Sequence, residues 1–286
     1  MMTRDIKFSL SLGALLLAGC LASDAARAQM PSVRREERVI GDRVGGSYGI
    51  FEGGARVNAN VTQLKPIEQV VILLDGSGSM APIYPRIAEE LRRALPARIG
   101  APTAIVRFSA QKTFIQDFTT SRAALESALA NEQQLWAGSN PGDDTMKATT
   151  NIYGTLVALA ETAPDKLTHF IVVTDGNDSL NSRVDMARLV NENVVISYLN
   201  WGYRSFSARV DEKNAVVVAG NGSRAMEIPN VTLRFIAQRT GGDLLNYSDW
   251  KKFGEYFKRR LSAPGALYRA TWDSMNPEVP FSLSAR

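Results

Sequence analysis

Two uninterrupted apolar runs, each leading to a carboxylate and a glycine, constrain this chain more than anything else in it. Val70-Val71-Ile72-Leu73-Leu74 ends at Asp75-Gly76, and Phe170-Ile171-Val172-Val173 ends at Thr174-Asp175-Gly176. A strand with one wet face alternates apolar and polar residues. A run without alternation marks a strand buried on both faces, as in a parallel sheet covered by helices on each side. The intervening segments read accordingly. Ile83, Ile87, Leu91 and Leu95 recur every four residues behind Pro82, which suits a first helical turn. Ala104–Phe108 and Thr113–Phe118 read as two strands around a tight turn, and Ser121–Gln133 as a helix carrying Leu125 and Leu129. Ile152, Leu156, Leu159 and Ala163 give a further helix its stripe. The second run is followed by a helix near Ser182–Asn191, a strand Val194–Leu199 and an insertion Trp201–Ile228 with little periodicity. Then come a helix Asn230–Arg239, a last helix with Trp250, Phe253, Phe257 and Leu261 on one face, and a closing strand Leu267–Trp272. The expectation is an α/β fold: a doubly wound, mostly parallel central sheet with one antiparallel edge strand and helices on both faces.

At 286 residues the chain fits one large domain with appendages. Arg4 and Lys7 precede an uncharged stretch, Phe8–Ser23, that reads as an export signal, too short and too interrupted by Ser and Gly for a membrane span. Within it, Leu17-Ala18-Gly19-Cys20 resembles the lipobox of bacterial lipoproteins, in which the cysteine takes the lipid and the signal is cut just before it. Ala26-Arg27-Ala28 is a competing A-x-A site that would release a soluble chain from Gln29. With the lipobox, Leu21 rather than Asp after the cysteine implies the outer membrane of a bacterial envelope; with the A-x-A site, a soluble periplasmic or secreted protein. The expected division is a signal over 1–19 (to 28 in the second case), a tether with short strands over 20–66, a main domain over 67–272 with the insertion 201–228, and a tail over 273–286. The charge run Arg34–Arg38 reads as a solvated linker face, and Ala55–Gln63 as a strand pairing at the edge of the main domain.

The 33 Lys and Arg against 29 Asp and Glu leave +4 without a basic stripe, which argues against nucleic acid as a partner. One histidine, His169, and one cysteine, Cys20, exclude Cys/His zinc sites, zincin motifs and disulfide frameworks, so any metal must sit among oxygens. Doubly wound sheets bind ligands beyond the carboxyl ends of their strands. There, Asp75-Gly76-Ser77-Gly78-Ser79 sets a carboxylate and two hydroxyls at i, i+2 and i+4, with glycines that allow a tight loop. Asp175 ends the other run, and Thr149-Thr150-Asn151-Ile152 opens a helix from a third loop. Hard oxygen groups of this kind suit Mg²⁺ and do not suit zinc or copper.

Asp75-x-Ser77-x-Ser79, then Thr150, then Asp175 in Val-Val-Thr-Asp-Gly resembles the metal-ion-dependent adhesion site (MIDAS) of von Willebrand factor A (vWA) domains, over roughly Ile67 to Tyr268. The resemblance implies that Ser77, Ser79 and Thr150 coordinate the ion directly or through water, with Asp75 and Asp175 largely through water and hydroxyl hydrogen bonds. Thr149 is the alternative to Thr150. The implied ion is Mg²⁺, with Mn²⁺ or Ca²⁺ as alternatives, and one position is left for an Asp or Glu of a protein partner. The expected function is therefore an exported binding module and not an enzyme, touching the membrane only through its lipid anchor. The alternatives are an envelope assembly or scaffolding factor with a purely structural metal and, further off, a Mg²⁺-dependent hydrolase. Asp143 and Asp144 read as solvated turn residues, and Trp201 and Tyr203 either line the partner surface or plug the insertion. Gly76-x-Gly78-x-x-Ala81 also fits a loose dinucleotide fingerprint, but Asp75 would set a carboxylate against the pyrophosphate. A serine nucleophile would need His169, which lies at the far end of its strand, where a solvated or capping imidazole is expected. Intact mass of the mature chain decides the processing: a diacylated chain starting at Cys20 is expected, and an unmodified chain starting at Gln29 would show the A-x-A site in use.

Overall fold

The computed structural model describes residues 32–137, 150–176, 178, 188–191, 193–200, 208–210, 216–218, 228–246, 250–274 and 281–285. Its centre is a six-stranded sheet. The first run is β5 (Gln69–Asp75), flanked by β6 (Thr103–Phe108) and β8 (Thr168–Thr174); beyond them lie β7 (Lys112–Thr119), β9 (Val194–Asn200) and β12 (Leu244–Asn246). The spatial order is β12-β9-β8-β5-β6-β7, with every pair parallel except β6 with β7. This is the expected architecture, its antiparallel edge strand included.

The absence of alternation in β5 has a direct structural cause. Val70, Ile72 and Leu74 face one apolar layer with α1 (Tyr84–Ala94), α2 (Arg122–Ala137) and α5 (Trp250–Ser262). Val71 and Leu73 face the other, with α3 (Ile152–Ala160) and α4 (Ile228–Thr240). All seven residues of β5 are buried, as are all seven of β8. Helix α1 starts at Tyr84 with a proline in its first turn, so Pro82 lies in the turn before it and Ile83 serves as N-cap. Helix α2 extends four residues past the expected Gln133. The helix expected near Ser182–Asn191 lies largely outside the described residues. Within the insertion, β10 (Ala208–Val210) and β11 (Val216–Val218) form an antiparallel pair. Among the described residues no helix is long and apolar enough to cross a membrane.

The expected short strands are present at the amino end, but they and the tail are paired in sheets of their own. Strand β1 (Val33–Gly41) and β4 (Ala59–Pro66) flank β13 (Ala266–Ser274), while β2 (Tyr48–Glu52) pairs with β3 (Ala55–Val57) and β14 (Phe281–Ala285). The two small sheets share apolar clusters in which Ile50 meets Ala270 and Trp272, and Tyr48 meets Tyr268. The closing strand thus joins a separate β-unit and not the central sheet, and the expected strand Ala55–Gln63 is split between both small sheets. The run Arg34–Arg38 is a paired strand and not a solvated linker. Its charges are absorbed across the strands: Glu36 pairs with Arg269 at 3.1 Å, and the Arg35 guanidinium lies 5.2 Å from the Trp272 ring centre and 4.9 Å from that of Phe281. Its alternation is one of charge sign, which no apolar periodicity reveals.

The junction of α4 and β12 is tight. Gly241 has φ +84°, and a Cβ on Gly242 would lie 2.0 Å from the Ile196 carbonyl oxygen in β9. Gly254 inside α5 faces only the Ala94 Cβ, at 3.8 Å. Opposite signs are expected in urea unfolding. Gly242→Ala loses about 3 kcal/mol by forcing β9 and β12 apart, whereas Gly254→Ala gains up to ~1 kcal/mol from helix propensity.

Candidate metal centre

Asp75 is the last residue of β5, and β5 sits between β6 and β8. Its carboxylate is 1% exposed. Oδ1 accepts the Ser77 N–H at 2.9 Å, and Oδ2 accepts the Thr174 hydroxyl at 2.5 Å. Thr174 Oγ1 in turn accepts the Gly176 N–H at 3.0 Å. One buried carboxylate therefore closes the loop after β5 and ties it to the loop after β8.

Three further contacts draw the remaining residues in. The Gly76 N–H donates to the Phe108 carbonyl at 2.7 Å, and the Asn151 N–H donates to the Ser109 carbonyl at 2.9 Å. Asn151 caps α3 by accepting the Gly154 N–H on its side-chain oxygen. Thr150, immediately before that cap, is buried. Asp175 is half-buried, and its charge acts on both Asp75 and the Tyr198 hydroxyl. Ser77 is buried and Ser79 exposed, with their hydroxyl oxygens 3.1 Å apart. The five expected residues thus gather at one end of the sheet. The alternative Thr149, the acids Asp143 and Asp144, Trp201, Tyr203 and Cys20 lie outside the described residues.

The donor set fits a small hard cation. With metal–oxygen bonds of about 2.0–2.1 Å, adjacent ligands of an octahedron stand roughly 3 Å apart, and the Ser77 and Ser79 oxygens already hold that spacing. Among the described residues no cluster of three or more His, Cys, Asp or Glu side chains is placed to hold a metal. An ion here would depend on hydroxyls backed by two carboxylates.

Several contributors escaped the sequence reading. Thr174 was visible only as a lone hydroxyl in an apolar strand. Arg107, Glu132, Tyr84 and Trp136 brace the loop from outside. Arg107 meets Glu132 at 3.0 Å, Tyr84 donates to Glu132 at 2.8 Å, and Trp136 stacks on Tyr84 at 4.4 Å between ring centres. A Cβ on Gly76 would come within 2.8 Å of the Arg107 side chain, so this glycine serves close approach. His169 departs from expectation: it is fully buried within β8 and not solvated, with Nε2 2.9 Å from the Ser197 hydroxyl. That hydroxyl also accepts from Tyr256, at 2.6 Å, which gives the imidazole a polar niche inside the core.

The loop bearing Asp-x-Ser-x-Ser follows β5, Asp175 follows β8 beside it, and the Thr150 helix opens against the β6 loop. This is the mostly parallel α/β architecture, with its loops gathered at the carboxyl ends of adjacent strands. Solved structures similar to this chain include the conserved hypothetical protein BatB from Bacteroides thetaiotaomicron, with 16% identity over 66% of this chain and 96% of that one and a TM-score of 0.42. A von Willebrand factor type A protein from Catenulispora acidiphila has 16% identity over 90% and 70%, with a TM-score of 0.43. Proximal thread matrix protein 1 from the mussel byssus, with a zinc-occupied MIDAS motif, has 12% identity over 68% and 48%, with a TM-score of 0.41. No family model matches the chain, and no curated protein sequence matches it.

Burial, and after it the charge of Asp175, pushes Asp75 up to about 7 against the hydrogen bonds from Thr174 and Ser77. The native state then holds a proton that the unfolded chain has released above about pH 4. In EDTA, stability should fall as pH rises from about 4 to 7, by on the order of a few kcal/mol. The slope should vanish in Asp75→Asn. A cation bound here would compete with that proton, so any Mg²⁺ affinity measured by calorimetry should rise up to about pH 7 and level off above it.

Proposed function

We propose that this chain is an exported vWA binding module that holds Mg²⁺ at Asp75, Ser77, Ser79, Thr150 and Asp175 and grips a protein partner through an Asp or Glu of that partner. The observation that carries the reading is the pair of hydroxyls at Ser77 and Ser79, held at octahedral spacing by a loop that Asp75 closes from below. Ser77 and Ser79 present neutral oxygens, and Asp75 has both of its own engaged by the protein. Little carboxylate charge is thereby spent in direct contact at this spot. A divalent cation bound there would keep uncompensated charge, which an incoming carboxylate gains by meeting. Asp175 adds a second negative charge nearby, and Thr174 holds Asp75 from the adjacent strand. The donor chemistry favours Mg²⁺, with Mn²⁺ or Ca²⁺ able to take the same oxygens.

Export rests on the segment Arg4–Ser23 and attachment on Leu17-Ala18-Gly19-Cys20, which together would place the module on the outer membrane of a bacterial envelope. The reading assigns no catalytic residue, since His169 is enclosed in the core away from both serines.

Partner capture from envelope extract tests it. Capture is expected with Mg²⁺, and its loss with EDTA and with Asp75→Ala. The exposed Ser79→Ala should lower Mg²⁺ affinity by more than the ~10–100-fold recorded for loss of an outer-shell partner, without lowering the metal-free melting temperature. Equal capture in all conditions would sink the metal-bridged grip. A Mg²⁺-dependent rise in melting temperature without metal-dependent capture would point to the scaffolding factor with a structural ion.

A further inference from the structure

A cavity lies at the opposite end of the sheet from Asp75 and Asp175. The turn Gly241-Gly242-Asp243 enters β12 at its amino end, away from the strand ends that bear Asp75 and Asp175. Between this turn, the last turn of α5, and the strands β1 and β14 is a cavity of about 720 Å³. It is shared by the central fold and the small β-unit, and junctions of that kind and size are where small-molecule sites concentrate.

The charge lining it is unbalanced. Among the described residues, five arginines face three acids, Glu37, Asp42 and Asp243. Arg260, only 2% exposed, spans Asp42 at 3.1 Å and Asp243 at 3.2 Å; Arg259 reaches Asp42 at 3.6 Å; Arg35 is held by Glu37 and Glu52. These contacts engage every acid of the lining. Two guanidiniums meet no carboxylate among the described residues. Arg38 gives one N–H to the Asn191 carbonyl at 2.9 Å, and Arg239 rests 5.3 Å from the centre of the Phe235 ring. Arg38 also stands directly opposite Arg269 in the β1–β13 register, where like charges repel. Each of these guanidiniums has further N–H donors to offer.

The position of Arg239 in the last turn of α4 also offsets the carbonyl end of that helix. Such compensation explains neither Arg38, which is on a strand, nor the apolar surface beside it. Phe235 is 50% exposed, and Phe281 and Leu283 line the same cavity. Fixed positive charge next to aromatic surface is the complement of a molecule with an oxyanion at one end and an apolar body at the other.

We propose that this cavity binds a small organic oxyanion, its carboxylate or phosphate taken by Arg38 and Arg239 and its apolar body by Phe235, Phe281 and Leu283. Calorimetry on the full chain in EDTA, with phenyl phosphate, benzoate and inorganic phosphate as probes, tests it apart from any cation. Phenyl phosphate or benzoate should bind at least about tenfold more tightly than inorganic phosphate, and whichever leads identifies the oxyanion. Arg38→Gln and Arg239→Gln should each weaken that binding about tenfold. Phe235→Ala should erase the advantage over inorganic phosphate. Arg239 is exposed, so its variant should lose only the helix-end contact, a small shift in melting temperature separate from the loss of binding. Failure of all three probes to bind the wild-type chain, or binding unchanged in Arg239→Gln, would overturn the proposal.

Discussion

Asp75 is buried at the end of a strand, and both of its oxygens are taken by neighbours, one by its own loop and one by the adjacent strand. That arrangement fixes where everything else at the sheet's carboxyl edge can lie. The Ser77 backbone must turn back to reach the carboxylate, which sends Ser79 outward and lets the Ser77 carbonyl accept from Met80 and Ala81 on the way into α1. The Thr174 hydroxyl must point across to β5, which leaves Asp175 to turn out beside it. A buried carboxylate held by two donors is stable but resists being charged, and a second carboxylate nearby adds to that resistance. The loop is organised around a group that a cation would relieve.

The central strands were legible because burial on both faces writes itself as unbroken hydrophobicity, and α1 and α5 because a single buried stripe repeats at helical spacing. That Asp75, Ser77, Ser79, Thr150 and Asp175 lie at one end of the sheet was legible, because strand ends mark that edge and the Asp75–Ser79 spacing survives folding. The pairing of β1 with β13 was not. It joins residues from opposite ends of the chain, and Arg34–Arg38 looks like a solvated run until Arg269, Trp272 and Phe281 are seen around it. For the same reason Leu267–Trp272 could be read as a strand but not assigned to a sheet. His169 misled in the other direction: a histidine that starts an apolar strand looks exposed, and only the Ser197 and Tyr256 hydroxyls explain its burial.

A net charge of +4 conceals a strong separation of charge. The carboxylates of Asp75 and Asp175 lie where β5 and β8 end, while among the described residues arginines outnumber acids at the amino end of β12. The arginine–glutamate pair beside Gly76 is internally neutral and acts as a brace. Composition averages these regions to nearly nothing.

The closing strand β13 carries a consequence for the order in which the chain can fold. Val33 pairs with Ser274 and Gly41 with Ala266, and on the other side Ala59 pairs with Trp272. Strands β1 and β4 therefore have no sheet to join until almost the whole polypeptide is present, whereas β5 to β9 can pair with neighbours already made. Contacts between distant segments close late and slowly. A chain emerging from its amino end would carry two unpaired strand edges throughout its synthesis or passage, and the arrival of a single late strand would seal both at once.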